Sequence, residues 1–347
     1  MPIEIRELTI KAAPAWDAFV QATPSATFFH LSGWAGVIEK SFGHATHYAY
    51  AEQDGAIVGV LPLARMKTKL FGDVLASTPF CVYGGPVAVN AEALAALTQY
   101  AIELRGKLGA PVLEFRRIDT VDDGFQGRPP LYFTFRKPIV ITGDVVKDQE
   151  KNIPRKQRAE VRKGFKKGLT SVSNSDIATL HRVYAESVRN LGSPVFPKKY
   201  FQALADAFPG AHDVTTVLHE GRAVASVLNF HFREEVLPYY GGGTREARGL
   251  AANEVMYFEV MRRAGTERGA TLFDFGRSKI DTGAFAFKKN FGFEATELHY
   301  CYRLADGAKV PDNNPNNPKY KAVIALWKRL PVPVANILGP PLVRGLG

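Results

Sequence analysis

Three stretches in the second half of the sequence hold residue types that can do group-transfer chemistry. Phe273-Asp274-Phe275-Gly276-Arg277-Ser278-Lys279 puts polar side chains at the exit of an apolar strand, where ligand crevices of α/β sheets lie. Asp274 is the carboxylate there, able to orient an amine, to accept a proton or simply to cap the following turn. Next, Ala284-Phe285-Ala286-Phe287-Lys288-Lys289-Asn290-Phe291-Gly292-Phe293 sets two lysines among aromatics. The spacing of Phe287 and Phe291 is that of helical core residues, and a lysine held beside such a wall can neutralise a phosphate or the oxyanion of an acyl transfer. Third, Tyr239-Tyr240-Gly241-Gly242-Gly243 ends a strand, and Arg248-Gly249-Leu250-Ala251-Ala252-Asn253 opens a helix. Glycines let backbone approach a ligand closely, and a helix start offers amide donors and a positive dipole end to phosphate. A tight turn before an ordinary helix has the same spacing.

The elements that must position these residues repeat. Ala223–Phe232 and Val236–Gly241 read as paired strands, Ala252–Arg268 as a helix and Thr271–Phe275 as a strand. Gly283–Lys289 reads as a short helix and Leu298–Arg303 as a strand. In the first half, a helix over Phe28–Lys40 precedes a strand over Ala56–Met66, a strand near Val74–Ser77, a helix over Ala91–Lys107 and a strand over Val112–Arg116. An acidic-Gly turn (Asp54-Gly55, Glu220-Gly221) stands before the apolar strand in each half, as duplicated supersecondary units would have it. Between the halves, Asn152-Ile153-Pro154 breaks the chain before a basic helix. After it, Ser175 is placed to cap a helix from Asp176 to Leu191 closed by Gly192, and Pro197 to open another.

With 347 residues, against roughly 100 to 200 per domain, two domains are expected. The expected division is an N-terminal domain over 1–145, a basic connecting helix over 146–169, a C-terminal domain over 170–310 and a tail over 311–347. Cys81 and Cys301 each lie in an apolar run far from a second ligand, which predicts buried free thiols, no disulfide framework and no metal site. Without a signal-like N-terminus or a run of roughly 18 apolar residues, the protein is expected in the cytoplasm. The net charge of +10 concentrates around Arg155, Lys156, Arg158 and Arg162; such a cluster attracts phosphates, tRNA or an anionic membrane, or is a solvated helix face. In the tail, Tyr320, Val323, Ile324, Trp327 and Leu330 recur at helical spacing among Lys319, Lys321, Lys328 and Arg329. That pattern fits a helix lying on a membrane or docking on the protein's own core, with Pro331-Val332-Pro333 ending it and a loose segment after.

The run from Tyr239 to Phe293, with its Gly-rich turn, the Ala251-Ala252-Asn253 helix start, the Phe-Asp-Phe-Gly-Arg strand and the Phe287-Lys288-x-x-Phe291-Gly292 element, resembles the C-terminal unit of FemAB-type transferases. It is similar in particular to the GNAT-related FemAB-like proteins of exosortase (PEP-CTERM) and exopolysaccharide systems. Pro154-Arg155-Lys156-Gln157-Arg158, Leu191-Gly192-Ser193-Pro194-Val195-Phe196-Pro197, Phe28-Phe29-His30 through Trp34 and Gly59 to Pro62 fit the same group. The resemblance implies an α/β (α+β) chain of tandem GNAT-like domains, each a mixed twisted sheet flanked by helices. It implies an acyltransferase without a permanently bound cofactor, using acyl-coenzyme A or, in FemAB-type chemistry, aminoacyl-tRNA as co-substrate.

On this footing Lys288 and Asp274 are the expected catalytic pair, and Arg248, Gly249, Ala251, Ala252, Asn253 and Arg277 the donor site. Tyr239, Tyr240, Gly241, Gly242 and Phe287 form the substrate cleft. The GNAT pyrophosphate loop is met loosely, since Arg245 and Gly249 stand one position farther apart than its Arg and Gly. The expected acceptor is an amine or hydroxyl of a cell-envelope or exopolysaccharide precursor, with peripheral contact at the inner membrane through the tail. A non-catalytic module holding a glycan or nucleotide-sugar is the alternative of another class.

Overall fold

A computed structural model describes residues 2–118, 124–127, 129–310 and 321–347. Tyr320 and Lys319 of the expected tail helix lie outside them. The chain divides into two compact units, one of residues 1–130, 298–314 and 341–347, the other of residues 131–297 and 315–340.

The first unit opens with β1 (Glu4–Glu7), α1 (Ala13–Ala22), a 3-10 turn (Phe28–His30) and α2 (Gly33–Phe42). The helix expected from Phe28 thus begins at Gly33, because Thr27 and His30 close a capping box around the 3-10 turn. Next come β2 (Ala45–Thr46), β3 (Ala49–Gln53), β4 (Ala56–Leu61), β5 (Leu63–Thr68), β6 (Gly72–Ser77) and β7 (Val87–Ala88). α3 (Ala91–Leu108), β8 (Val112–Arg117) and β9 (Gln126–Gly127) follow. The strand expected over Ala56–Met66 is two strands divided at Pro62, which lacks the amide a ladder needs. β4 belongs to a four-stranded sheet in the order β1-β3-β4-β7. β5 belongs to a six-stranded one, β2-β5-β6-β8-β19-β9. Its member β19 (His299–Leu304) comes from far along the chain and pairs antiparallel with β8. Leu61, Leu75, Leu97, Leu113 and Phe115 form the core between sheet and α3.

The second unit begins with β10 (Tyr132–Thr134), β11 (Arg136–Pro138), α4 (Val145–Asn152), α5 (Arg155–Lys166) and β12 (Thr170–Asn174). It continues with α6 (Ile177–Leu191), α7 (Lys198–Ala207), β13 (His212–His219), β14 (Arg222–Phe232) and β15 (Glu235–Gly243). Then come α8 (Ala247–Leu250), α9 (Ala252–Arg268), β16 (Leu272–Asp274), β17 (Ser278–Lys279), α10 (Gly283–Asn290) and β18 (Thr296–Glu297). Its main sheet runs β11-β16-β15-β14-β13-β12. The cap of α6 is Asp176, whose carboxylate accepts from the Thr179 amide, one residue later than Ser175; Pro197 is the N-cap of α7 and not its first residue.

Each unit contains two antiparallel strands and a helical crossover to a parallel third: β5-β6-α3-β8 in the first and β14-β15-α9-β16 in the second. The hairpin turns that announce the repeat are alike. Asp54 and Gly55 have φ of 56° and 78°, Glu220 and Gly221 of 49° and 75°, the left-handed pair that a two-residue hairpin needs.

The tail is more ordered than its sequence promises. α11 (Lys321–Trp327) is followed by α12 (Val332–Val343), so Pro331 and Pro333 begin a helix, where a missing amide costs nothing. Cys81 is buried, and Cys301, also expected to be buried, is half-buried with its Sγ 3.8 Å from the Phe115 carbonyl oxygen.

Candidate active site

β15 and β16 are parallel neighbours, yet they pair only at Glu235↔Leu272 and Val236↔Phe273. Beyond Val236 the two strands part, and β15 continues to Gly243 along β14 alone. A register shift between Leu228 and Asn229, opposite Pro238, bends β15 where the parting begins. The result is a wedge in the sheet, open at the carboxyl ends of its strands.

Of the residues expected to hold a donor, Arg248, Gly249, Ala251, Ala252 and Asn253 lie together along α8 and the start of α9. Ala251 holds φ 59°, ends α8 and precedes α9 with no side-chain cap on the new helix. The N-cap residue therefore brings no side-chain acceptor to the amides of Ala252 and Asn253, which open a seventeen-residue helix, the arrangement that binds phosphate or an oxyanion. Asn253 points a buried Oδ1 without a partner into this corner, beside Gly243. Arg248 and Gly249 are exposed on α8, and Ala252 is buried as the first residue of α9. The α3 start in the first unit differs: Asn90 Oδ1 accepts from the Ala93 amide at 2.8 Å. There the ends of β6 and β8 are also laced together, by Ser77 Oγ accepting from the Arg116 amide at 3.1 Å and the Gly84 amide donating to the Arg116 carbonyl at 2.7 Å.

The glycines of β15 are needed for contact. A Cβ on Gly241 would stand 2.6 Å from Val227, and one on Gly242 would stand 2.1 Å from Ser187 Oγ of α6. Tyr240 packs among Tyr184, Phe196, Tyr200 and Phe201, its hydroxyl 2.9 Å from that of Tyr200. Tyr239 turns to Phe230. Phe287 stacks on Phe291 and meets Tyr257, as core spacing predicts, while keeping a half-buried edge.

Lys288 is buried on α10, and its Nζ donates to the carbonyls of Gly276 at 2.9 Å and Arg277 at 3.0 Å. The ammonium lies 5.2 Å from the Phe135 ring centre and 5.3 Å from that of Phe275, within cation–π range. Burial pushes its pKa down to about 7, against the pull of the Asp274 charge and helped by Arg277. The lysine can thus either donate or give up a proton near neutrality. Asp274 is buried; Oδ1 accepts from the Gly276 amide at 2.8 Å and Oδ2 stands 3.3 Å from Arg136 Nε. Its carboxylate is engaged on both oxygens, which suits it to holding the turn to whose carbonyls the lysine donates. Arg277 lies with its guanidinium 4.7 Å from the Tyr132 ring centre.

α5 buries Gln157, Val161 and Gly164 against α9, with Gly164 so close that a Cβ would meet Val255 at 2.5 Å. Its other side exposes Arg155, Lys156 and Arg162, and Arg158 is half-buried, donating to the Glu150 carbonyl. At its end Lys167 Nζ donates to the Gly249 carbonyl at 2.5 Å, so the basic helix abuts α8. Sequence reasoning missed Ser187 and Arg136 beside these residues. The three-glycine run was a signal for Ser187, since a strand stripped of side chains implies a close neighbour.

A family model described as an acetyltransferase (GNAT) domain matches residues 152–289, the span from the foot of α5 to α10. The second unit has the GNAT acyltransferase fold. Among solved structures, FemX is similar with a TM-score of 0.69 and 20% identity, covering 87% of this chain and 98% of that one. A tandem GNAT protein from the clavulanic acid biosynthesis pathway has a TM-score of 0.55 and 14% identity, over 88% of this chain and 100% of that one. The C-terminal domain of a putative lysylphosphatidylglycerol synthetase from Agrobacterium fabrum has a TM-score of 0.56 and 13% identity, over 85% and 92%. No curated protein matches the sequence. At these identities the likeness is one of fold: tandem GNAT-like units of mixed twisted sheets flanked by helices. Among the described residues no helix is long and apolar enough to cross a membrane, and no cluster of His, Cys, Asp and Glu is set to hold a metal.

Proposed function

We propose that the second unit transfers an acyl group from an activated donor, acyl-coenzyme A ahead of aminoacyl-tRNA, to an amine or hydroxyl of a cell-envelope or exopolysaccharide precursor. The observation that carries this reading is the parting of β15 from β16 beneath an α9 start that no side chain caps. A donor phosphate is held by the amides of Ala252 and Asn253, with Ala251, Arg248, Gly249 and Arg277 around it, and its acyl arm enters the wedge. The acceptor lies along Tyr239, Tyr240, Gly241, Gly242 and Phe287.

The acceptor nitrogen or oxygen attacks the acyl carbonyl, the bond to the donor's leaving group breaks, and the acceptor's proton leaves to solvent or to the departing group. No covalent enzyme intermediate is required, because positioning and oxyanion stabilisation supply the acceleration. Lys288 is the catalytic group in this reading, its third N–H or charge facing the developing oxyanion. Asp274 is a positioning residue that holds the Gly276 turn. The reaction belongs to the cytoplasm or the cytoplasmic face of the inner membrane, where such precursors are built.

Aminoacyl-tRNA as donor is favoured by one specific feature, the exposed Arg155, Lys156 and Arg162 on a helix whose end is tied to α8 through Lys167. Equilibrium binding of acetyl-coenzyme A and of charged and uncharged tRNA, each at two salt concentrations, tests both donors. Saturable coenzyme A binding supports the first. Preference for charged tRNA with a steep salt slope supports the second. Binding of neither overturns the transferase reading and leaves a glycan-holding module.

A further inference from the structure

α12 (Val332–Val343) carries no charge, and Asn336 is its only polar residue. A helix apolar all round is normally buried, but this one is covered on one side only. Ala335 is buried and Gly339 sits against α6's following loop, where a Cβ would stand 2.5 Å from the Val195 carbonyl oxygen. Val334, Ile337 and Leu338, at i, i+3 and i+4, share a face that is exposed, Ile337 by 73%. α11 does the same on a smaller scale: Trp327 is buried and Ile324 reaches Gly192, while Val323 and Leu326 are exposed by 59% and 65%. Of the apolar face read from the sequence, Ile324 and Trp327 dock on the protein, while Val323 stays outward with Leu326. Lys321, Lys328 and Arg329 are exposed beside these side chains. Residues 313–347 contain five Lys and Arg and no Asp or Glu.

We propose that the outward face of α11 and α12 docks on an anionic membrane surface. Apolar side chains on a helix flanked by cations lie in the boundary between lipid headgroups and acyl chains, and the cations meet lipid phosphates. At about 1.5 Å per residue a twelve-residue helix is roughly 18 Å long, short of the ~30 Å hydrocarbon core, so it lies on the membrane and does not span it. A second copy of the chain fits less well. A twofold contact would set like-charged Lys328 and Arg329 patches against themselves without an acid to answer them. The surface is independent of the transfer chemistry, so either can fail alone.

Sedimentation of the full chain with vesicles tests it, comparing phosphatidylcholine alone with phosphatidylcholine containing about a third phosphatidylglycerol. The expected result is partition onto the anionic vesicles that weakens with salt. K328Q/R329Q should lower it about 25-fold, at about fivefold per charge, and I337E/L338E should reduce it to background. All four positions are exposed, and the charge pair keeps the test open if the apolar pair fails to fold. No partition onto anionic vesicles at low salt overturns the proposal, as does partition that I337E/L338E leaves intact. A concentration-dependent dimer that I337E/L338E dissolves, with no vesicle binding, overturns it in favour of a second copy.

Discussion

Asp274 and Lys288 grip the same residue from opposite sides: the carboxylate accepts the Gly276 amide at 2.8 Å and the amine donates to the Gly276 carbonyl at 2.9 Å. The turn between strand and wedge is thereby clamped by two buried side chains of opposite charge. The transfer chemistry proposed for the lysine depends on that clamp.

K288M should lower kcat by about 100- to 1,000-fold, the usual cost of losing an oxyanion donor, with the donor dissociation constant changed little. Steady-state kinetics beside direct donor binding separate the two. Undiminished kcat would remove Lys288 from the reaction.

The same lysine makes stability depend on pH. Its folded pKa of about 7 lies below the ordinary lysine value of 10.5, so between these values the unfolded chain holds the extra proton. Stability then rises with pH through that window, and the cost of charging the buried amine is fully present below about 7. K288M lacks this dependence. The difference in melting temperature between K288M and the parent should therefore move steadily against K288M from pH 7 to pH 10, as scanning calorimetry can follow; a constant difference would contradict the burial argument.

D274A should destabilise the protein by about 1–3 kcal/mol, since it strips the half-buried Gly276 amide of its acceptor and removes one of the two carboxylates that Arg136 pairs with. Urea unfolding measures this. If Asp274 positions the turn, kcat should fall along with stability, and D274N, which keeps an acceptor for the amide, should recover part of both.

G242A should clash with Ser187, whose Oγ would lie 2.1 Å from the new Cβ, and the damage should be relieved by S187G in the same chain. A double-mutant cycle on thermal stability and donor binding reads the coupling, which for residues in contact is about 0.5–3 kcal/mol. Additive effects would mean that the close contact does not matter.

Local signals in the sequence were strong where neighbours along the chain decide the structure. α9 has the bounds read from its apolar pattern, and both acidic-Gly hairpins form. Signals failed where partners are distant. Nothing near Leu298 says that β19 will pair with β8, nor does anything near Arg136 announce Asp274 opposite it across two antiparallel strands. Residues 131–138, read with the first half, form strands that pair with β16, β17 and β18 of the second unit. The prolines at 331 and 333 looked like a terminus because proline ends helices and also begins them, and only the packing of Gly339 on Val195 separates the cases. In the site, Lys288 and Asp274 were visible as chemistry-bearing types beside aromatics, but their shared hold on Gly276 depends on how α10 returns to the end of β16.

The placement of β19 also orders events in time. β8 ends at Arg117 and its partner begins at His299, so a ribosome adding about 5–20 residues per second needs roughly 10 to 40 seconds to deliver the missing strand. Throughout that interval the emerging first unit presents an open sheet edge, and such an edge invites pairing with other chains. The strands of the second unit all lie within residues 131–297, so its sheet is complete before that of the first can close. Synthesis from the N-terminus thus finishes the two sheets in the reverse of the order in which they begin.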